Sequence, residues 1–160
     1  MKKSSLTILF AAIALLFASC KTGDPKDANG DTPSTVVEKM YKAIQSNDFA
    51  TAASYNKIPD TVKIDAKNCY TQFANNPSNK DGKIIITGEE WKSFLVERMQ
   101  AQNSEFSLIK WTIVSEEISK TDPNSAKVKT KITIKKQNGQ SDVDCSFPMK
   151  RENNVWKIIG

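Results

Sequence analysis

The hydrophobic pattern of this chain changes period once, near residue 106: apolar positions recur at helical spacing before it and alternate after it. The first stripe is Val37, Met40, Tyr41 and Ile44, at i, i+3, i+4 and i+7, with Glu38, Lys39, Lys42 and Gln45 on the other side. Thr32-Pro33 marks its start, Thr offering a capping oxygen and Pro giving up no needed N–H at the first helical position. Ser46-Asn47-Asp48 breaks the stripe, and Asp48 is placed to cap a shorter helix through Phe49, Ala52 and Ala53. Val62, Ala66, Cys69, Tyr70 and Phe73 keep one face and predict a third helix, followed by a loop over 75–82. Thr87-Gly88-Glu89-Glu90 reads as a capping box, with Ile86 and Trp91 at the positions of a hydrophobic staple. Trp91, Phe94, Leu95, Arg98 and Met99 carry that last helix to about Gln102.

Beyond residue 106 the period is two. Val128, Thr130, Ile132 and Ile134 alternate with Lys127, Lys129, Lys131 and Lys135; then comes Asn138-Gly139, a strong hairpin signal. On its far side Val143, Cys145, Phe147 and Met149 alternate with Asp142, Asp144, Ser146 and Lys150. A two-residue turn at Asn138-Gly139 sets Ile134 beside Val143, Ile132 beside Cys145, Thr130 beside Phe147, Val128 beside Met149, and Lys135 beside Asp142. Asn153-Asn154 turns the chain once more, and Trp156 and Ile158 fall on the face of Phe147 and Met149. Residues 108–118 form a strand with apolar residues on both faces, so alternation does not choose its inward side. Helices first and an antiparallel meander last predict one α+β domain over residues 32–160, with helices on one face of the sheet.

The N-terminus has its own pattern. Lys2 and Lys3 precede an almost unbroken apolar run over residues 6–18. A helix of that length rises only ~20 Å, short of a ~30 Å hydrocarbon core, which is the profile of a signal peptide. Leu16-Phe17-Ala18-Ser19-Cys20 closes the run and resembles a bacterial lipobox: an aliphatic residue, two small ones, then cysteine. The resemblance implies cleavage after residue 19 and acylation of Cys20, hence anchorage in the cell envelope, at the outer membrane, with the leaflet left open. Several acyl chains on one residue meet the condition for stable anchoring. Residues 21–31, KTGDPKDANGD, hold Ala28 as their one apolar residue and read as a flexible tether.

Charge and cysteine usage follow from that location. Residues 1–19 hold two of the 23 Lys and Arg and none of the 18 Asp and Glu, which leaves 21 against 18, a net of +3 for the mature chain. So mild a balance gives no reason to expect nucleic acid as a partner. Cys69 and Cys145 remain; in an oxidising envelope they are either a disulfide or two buried thiols, and the sequence leaves both readings open.

The stretch TPSTVVEKMYKAIQSNDFATAA and the closing alternation ending in NNVWKII resemble small bacterial lipoproteins of the nuclear-transport-factor-2-like superfamily, in the branch once called lumazine-binding-like. The resemblance covers residues 32–56 and 105–160. It implies a cone-shaped, nuclear-transport-factor-2-like or cystatin-like fold, helices wrapped by a curved antiparallel sheet. Relatives of this fold include isomerase-type enzymes that set a carboxylate and a tyrosine in the cone, which makes a small-molecule isomerase the alternative to a binding module.

With no histidine, triads and metal sites that need one are excluded, and neither a P-loop nor a dinucleotide fingerprint is present. Asp142 and Asp144 fall on the polar face of the predicted hairpin, where a solvated pair is the simpler account than an acid pair or metal site. The row Lys127, Lys129, Lys131 and Lys135 is read the same way, as a strand face that discourages edge pairing. No Asp or Glu is found at an inward position of the sheet to act as a base with Tyr41. The expectation is therefore a non-catalytic module, without cofactor or metal, for a small apolar ligand or an envelope protein. Tyr41, Phe94, Phe147 and Trp156 are expected to line its cavity, because their stripes must meet.

Overall fold

The computed structural model describes residues 25–65, 83–105, 107–136 and 138–159. In chain order the elements are α1 (Pro33–Gln45), α2 (Phe49–Ser54), β1 (Thr61–Asp65), β2 (Lys83–Thr87), α3 (Gly88–Glu105), β3 (Ser107–Ile118), β4 (Ser125–Lys136), β5 (Gly139–Glu152) and β6 (Val155–Ile158). Strands β3 to β6 form one antiparallel sheet in sequence order, while β1 and β2 pair separately. The class is the expected one: α+β, with N-terminal helices packed on a curved antiparallel sheet.

Helix α1 starts as its sequence predicts, with Thr35 N–H donating to Thr32 Oγ1 at 3.3 Å and Pro33 in the first turn. It lays Val37, Met40 and Tyr41 on β3, β4 and β6. Asp48 caps α2 through the Thr51 N–H at 3.1 Å. The capping box of α3 closes in both directions, Thr87 N–H to Glu90 Oε2 at 2.7 Å and Glu90 N–H to Thr87 Oγ1 at 3.3 Å. Gly88 is needed there because a Cβ would meet the Pro59 carbonyl oxygen at 2.4 Å.

Three expectations change. The helix expected over Val62 to Phe73 begins instead as strand β1, which pairs Val62 with Ile86 and Ile64 with Ile84. Val62 and Ile64 alternate toward the small core of Ile84, Ile86 and Phe94, so the period there is two and β-branched residues suit it. The rest of that expected helix, Cys69 included, lies outside the described residues.

The β4–β5 register is also displaced, by two positions. Its pairs are Val128↔Phe147, Thr130↔Cys145 and Ile132↔Val143, and the ladder ends at Lys136↔Gly139. Gly139, at φ +128°, belongs to the strand and not to the turn. A two-position displacement keeps every inward residue inward, which is why the apolar alternation did not detect it. Lys135 accordingly faces Gln140, whereas Asp142 faces Thr133, accepts its hydroxyl at 2.8 Å and pairs diagonally with Lys131 at 3.4 Å.

The third change is at the N-terminus. Residues 25–31, expected as flexible tether, form a strap on the β5–β6 hairpin. Asp27 is buried, its Oδ1 accepting the N–H groups of Asn29 (2.7 Å) and Asp31 (3.0 Å) and its Oδ2 that of Trp156 (3.1 Å). The Trp156 indole N–H donates to the Pro25 carbonyl at 2.7 Å, and the Ala28 N–H to the Asn154 carbonyl at 2.7 Å. The strap covers the start of the edge strand β6, and the segment at Tyr55 to Lys57 covers its end. Burial here comes from a carboxylate and backbone groups, not from apolar side chains.

Two β-bulges, at Ile109 and Val114, account for the apolar residues on both faces of β3. Each extra residue reverses the alternation. Leu108, Trp111, Ile113, Glu116 and Ile118 all face the inward row of β4, opposite Ile134, Ile132, Thr130, Val128 and Ala126. Ile109 and Val114 are left exposed.

Candidate functional site

The inward face of the sheet and helix α1 bring Tyr41 to the centre of the interior. Its ring meets Trp111 at 5.7 Å between centroids, tilted, and Phe147 at 5.8 Å, edge-on. Its hydroxyl bonds Thr130 Oγ1 at 2.9 Å. Thr130 is itself buried, so this one bond satisfies two interior hydroxyls. Burial pushes the Tyr41 phenol well above its ordinary value, only partly opposed by the bond to Thr130. The phenol is neutral at any physiological pH. Cys145 lies opposite Thr130; burial raises its thiol above its ordinary value and the neighbouring Tyr41 hydroxyl offsets part of the rise.

Beyond the Tyr41 ring, toward the C-terminal end of α1, lies a cavity of about 280 Å³. Ile44, Met99, Leu108, Ile132 and Ile134 form its walls, and Gln102 and Asn103 lie at the end of α3. Among the described residues, no ionisable side chain other than the Tyr41 phenol borders it. Two hollows of comparable volume, about 340 and 350 Å³, differ in chemistry, one bordered by Lys57, Glu89, Glu152 and Lys157, the other by Lys129 and Asp144. The Tyr41 cavity alone of these three lies between helices and sheet with an apolar wall.

Of the four aromatics expected to line one cavity, Tyr41 does so. Phe147 stands behind it, edge-on. Phe94 packs in the other core with Ile84, Ile86 and Trp91, because α3 turns that side chain toward β2. Trp156 is buried at the strap end, beneath the Arg151 guanidinium 5.2 Å from its ring centroid. Trp111 was missed, since alternation did not say which way β3 faces.

Glu116 was missed for the same reason, and it corrects the expectation of no inward carboxylate. It faces inward opposite Val128, and its Oε2 accepts the Ser34 N–H at 2.7 Å at the start of α1. There it completes the helix N-terminus and complements the helix dipole, seven residues along α1 from Tyr41 and outside the cavity wall. Asp142 and Asp144 are exposed, as are Lys127, Lys129, Lys131 and Lys135. Cys145 is a free thiol among the described residues; Cys69 and Cys20 lie outside them.

No protein-family model matches the chain, and no curated protein matches it. Solved structures do. An NTF-2 like protein of unknown function from Shewanella oneidensis MR-1 is similar over 79% of this chain and 91% of its own, at 14% identity and TM-score 0.48. A sec-c motif containing protein from Psychrobacter arcticus is similar over 81% of this chain at 12% identity and TM-score 0.52; the match spans 59% of that protein. RV0760c from Mycobacterium tuberculosis, solved in complex with estradiol-17beta-hemisuccinate, is similar over 81% of this chain and 92% of its own, at 15% identity and TM-score 0.46. The likeness is to nuclear-transport-factor-2-like and ketosteroid isomerase-like structures, and it is one of fold.

Proposed function

We propose that this protein is a lipid-anchored envelope lipoprotein whose domain is a non-catalytic binding module for a small apolar ligand. The observation that carries the binding part is the cavity at Tyr41: an apolar wall, one satisfied hydroxyl, and no carboxylate on its border among the described residues. A general base must stand within hydrogen-bond reach of the proton it takes, and Glu116 is engaged at the far end of α1. At about 280 Å³ the space lies just under the ~300–1,000 Å³ usual for drug-sized ligands, which favours a compact apolar molecule. Support for anchoring is the run ending in Cys20 after a short apolar segment.

The test is titration of the mature domain with N-phenyl-1-naphthylamine, a small fluorescent apolar probe. Saturable binding is expected, abolished by Ile132→Trp, which fills the cavity, in a variant that still melts cooperatively. Binding that survives the filled cavity overturns the assignment of the site. For the anchor, mass spectrometry of the envelope fraction should show a chain beginning at Cys20 and heavier by several acyl groups; a mature protein starting elsewhere overturns it.

A further inference from the structure

The two ends of this domain are unlike. One carries the strap: besides the bonds of Asp27 and Trp156, Arg151 donates to the Lys26 carbonyl at 3.2 Å, and the Arg151 N–H to the Asn124 carbonyl at 2.7 Å. Ser125, paired with Lys150, lies at this end, as does the first turn of α1 held by Glu116. The other end carries the cavity, bordered by Ile44 late in α1, Leu108 early in β3 and Ile134 late in β4. Ser125 and Ile134 are nine residues apart on β4, a separation of about 30 Å at ~3.4 Å per residue.

The strap also sets how far the domain can move from its anchor. Were residues 21–31 free, eleven residues would reach at most ~40 Å, and either end could meet the lipid. The bonds from Pro25 onward remove seven of those residues. Five peptide steps remain between Cys20 and Pro25, at most ~18 Å when fully extended.

Resting on the proposed acylation of Cys20, we infer that the cavity end of the domain cannot be seated on the bilayer that holds the anchor. Seating the cavity end on that bilayer would lift Pro25 about 30 Å from it, beyond the ~18 Å the tether spans. Upright and side-lying poses are allowed; the inverted one is not. The strap thus keeps the cavity end off the membrane that anchors the domain.

The experiment uses the full-length lipoprotein, purified from the envelope and reconstituted in phosphatidylethanolamine–phosphatidylglycerol vesicles containing a rhodamine lipid acceptor. A donor dye is attached through an azido amino acid at position 120, strap end, or position 138, cavity end; Lys120 and Asn138 are both exposed. Energy transfer to the lipid is expected to be stronger from 120 than from 138. Inserting ten Gly-Ser residues after Asp24 is expected to narrow the difference. Equal or stronger transfer from 138 with the native tether overturns the inference, as does a difference that the longer tether leaves unchanged. The intact mass of the same preparation reads the anchor separately. A chain without acyl groups on Cys20 overturns the function reading itself, whereas an acylated chain with the reversed order overturns only the orientation.

Discussion

The carboxylate of Asp27 accepts the backbone N–H of Trp156 across 129 residues of sequence, at 3.1 Å and out of solvent. Both ends of the folded chain meet in that bond. Because the same carboxylate holds the N–H groups of Asn29 and Asp31, removing it leaves several donors unpaired, one of them on a buried edge strand. Asp27→Ala is expected to lower stability by about 1.5–3 kcal/mol, the range for hydrogen bonds to a charged group. Asp27→Asn, which keeps one acceptor oxygen, should cost less. Denaturant melts with Trp fluorescence check both, and a change below about 0.5 kcal/mol for Asp27→Ala would count it as an ordinary surface substitution.

The Tyr41–Thr130 pair predicts a coupled cycle. Tyr41→Phe keeps the ring against Trp111 and Phe147 but strands the Thr130 hydroxyl, at a cost of about 1 kcal/mol. Thr130→Val strands the phenol at a similar cost. Making both changes removes donor and acceptor together, so the double variant should be about 1 kcal/mol more stable than the two single costs summed. Strict additivity in chemical denaturation would mean the hydroxyls do not interact. Probe binding should persist in Tyr41→Phe; its loss without loss of stability would favour chemistry at this phenol over simple packing.

How much of this was legible in the sequence depended on the length of each pattern. Helix α1 and strands β4 and β5 carry enough periods to declare themselves. Strand β1 offers only Val62 and Ile64 before its described part ends, and two residues fit a helical stripe as well as a strand. The two bulges of β3 reverse its phase twice within twelve residues, which hid the inward positions of Trp111 and Glu116. Alternation is blind to a displacement of two, so the apparent Lys135–Asp142 match supported the wrong register. Asp27 left no signal of burial: an acid among Pro, Lys, Asn and Gly reads as solvated, and beside its local donors Asn29 and Asp31 it takes the Trp156 N–H from the far end of the sheet. Tyr41 was found as core; that it borders a cavity depends on the sizes of neighbours on three other elements.

Acid should weaken the fold in a stated window. Lys150 donates to Asp122 at 2.6 Å, and Ser125 and the Asn124 N–H add to it, holding the Asp122 carboxyl down at about 2. Asp142, bonded by Thr133 and Lys131, and Asp48, bonded by Thr51, are also lowered. A depressed folded-state value means the stabilisation is complete above the ordinary carboxylate range and is lost as pH falls toward about 2. Asp122→Asn should flatten the stability profile between about pH 4 and pH 2, its loss appearing at pH 7, vanishing near pH 2, and shrinking in high salt, where an exposed ion pair is screened. An unaltered acid limb in thermal melts from pH 2 to 7 would rule out this group as a contributor.

Cys145 should be a slow thiol. It is half-buried, and burial is the main reason its value is raised; the Tyr41 hydroxyl opposes the rise, and Asp144 nearby adds to it. The thiolate is the species that alkylates, so at pH 7.5 native Cys145 should react with iodoacetamide well below the rate of an exposed cysteine, and should reach that rate once the chain is unfolded. The sign of the Tyr41 effect gives the sharper test. Tyr41→Phe removes the one interaction that favours the thiolate, so native alkylation of the Cys145 peptide should become slower still, even though the substitution loosens the core slightly. Mass spectrometry of the alkylated peptide after mild reduction, which opens any bridge to Cys69, measures both rates. Faster alkylation in Tyr41→Phe would mean that access, not thiolate content, controls this cysteine, and that the Tyr41 hydroxyl does not stabilise the charged form.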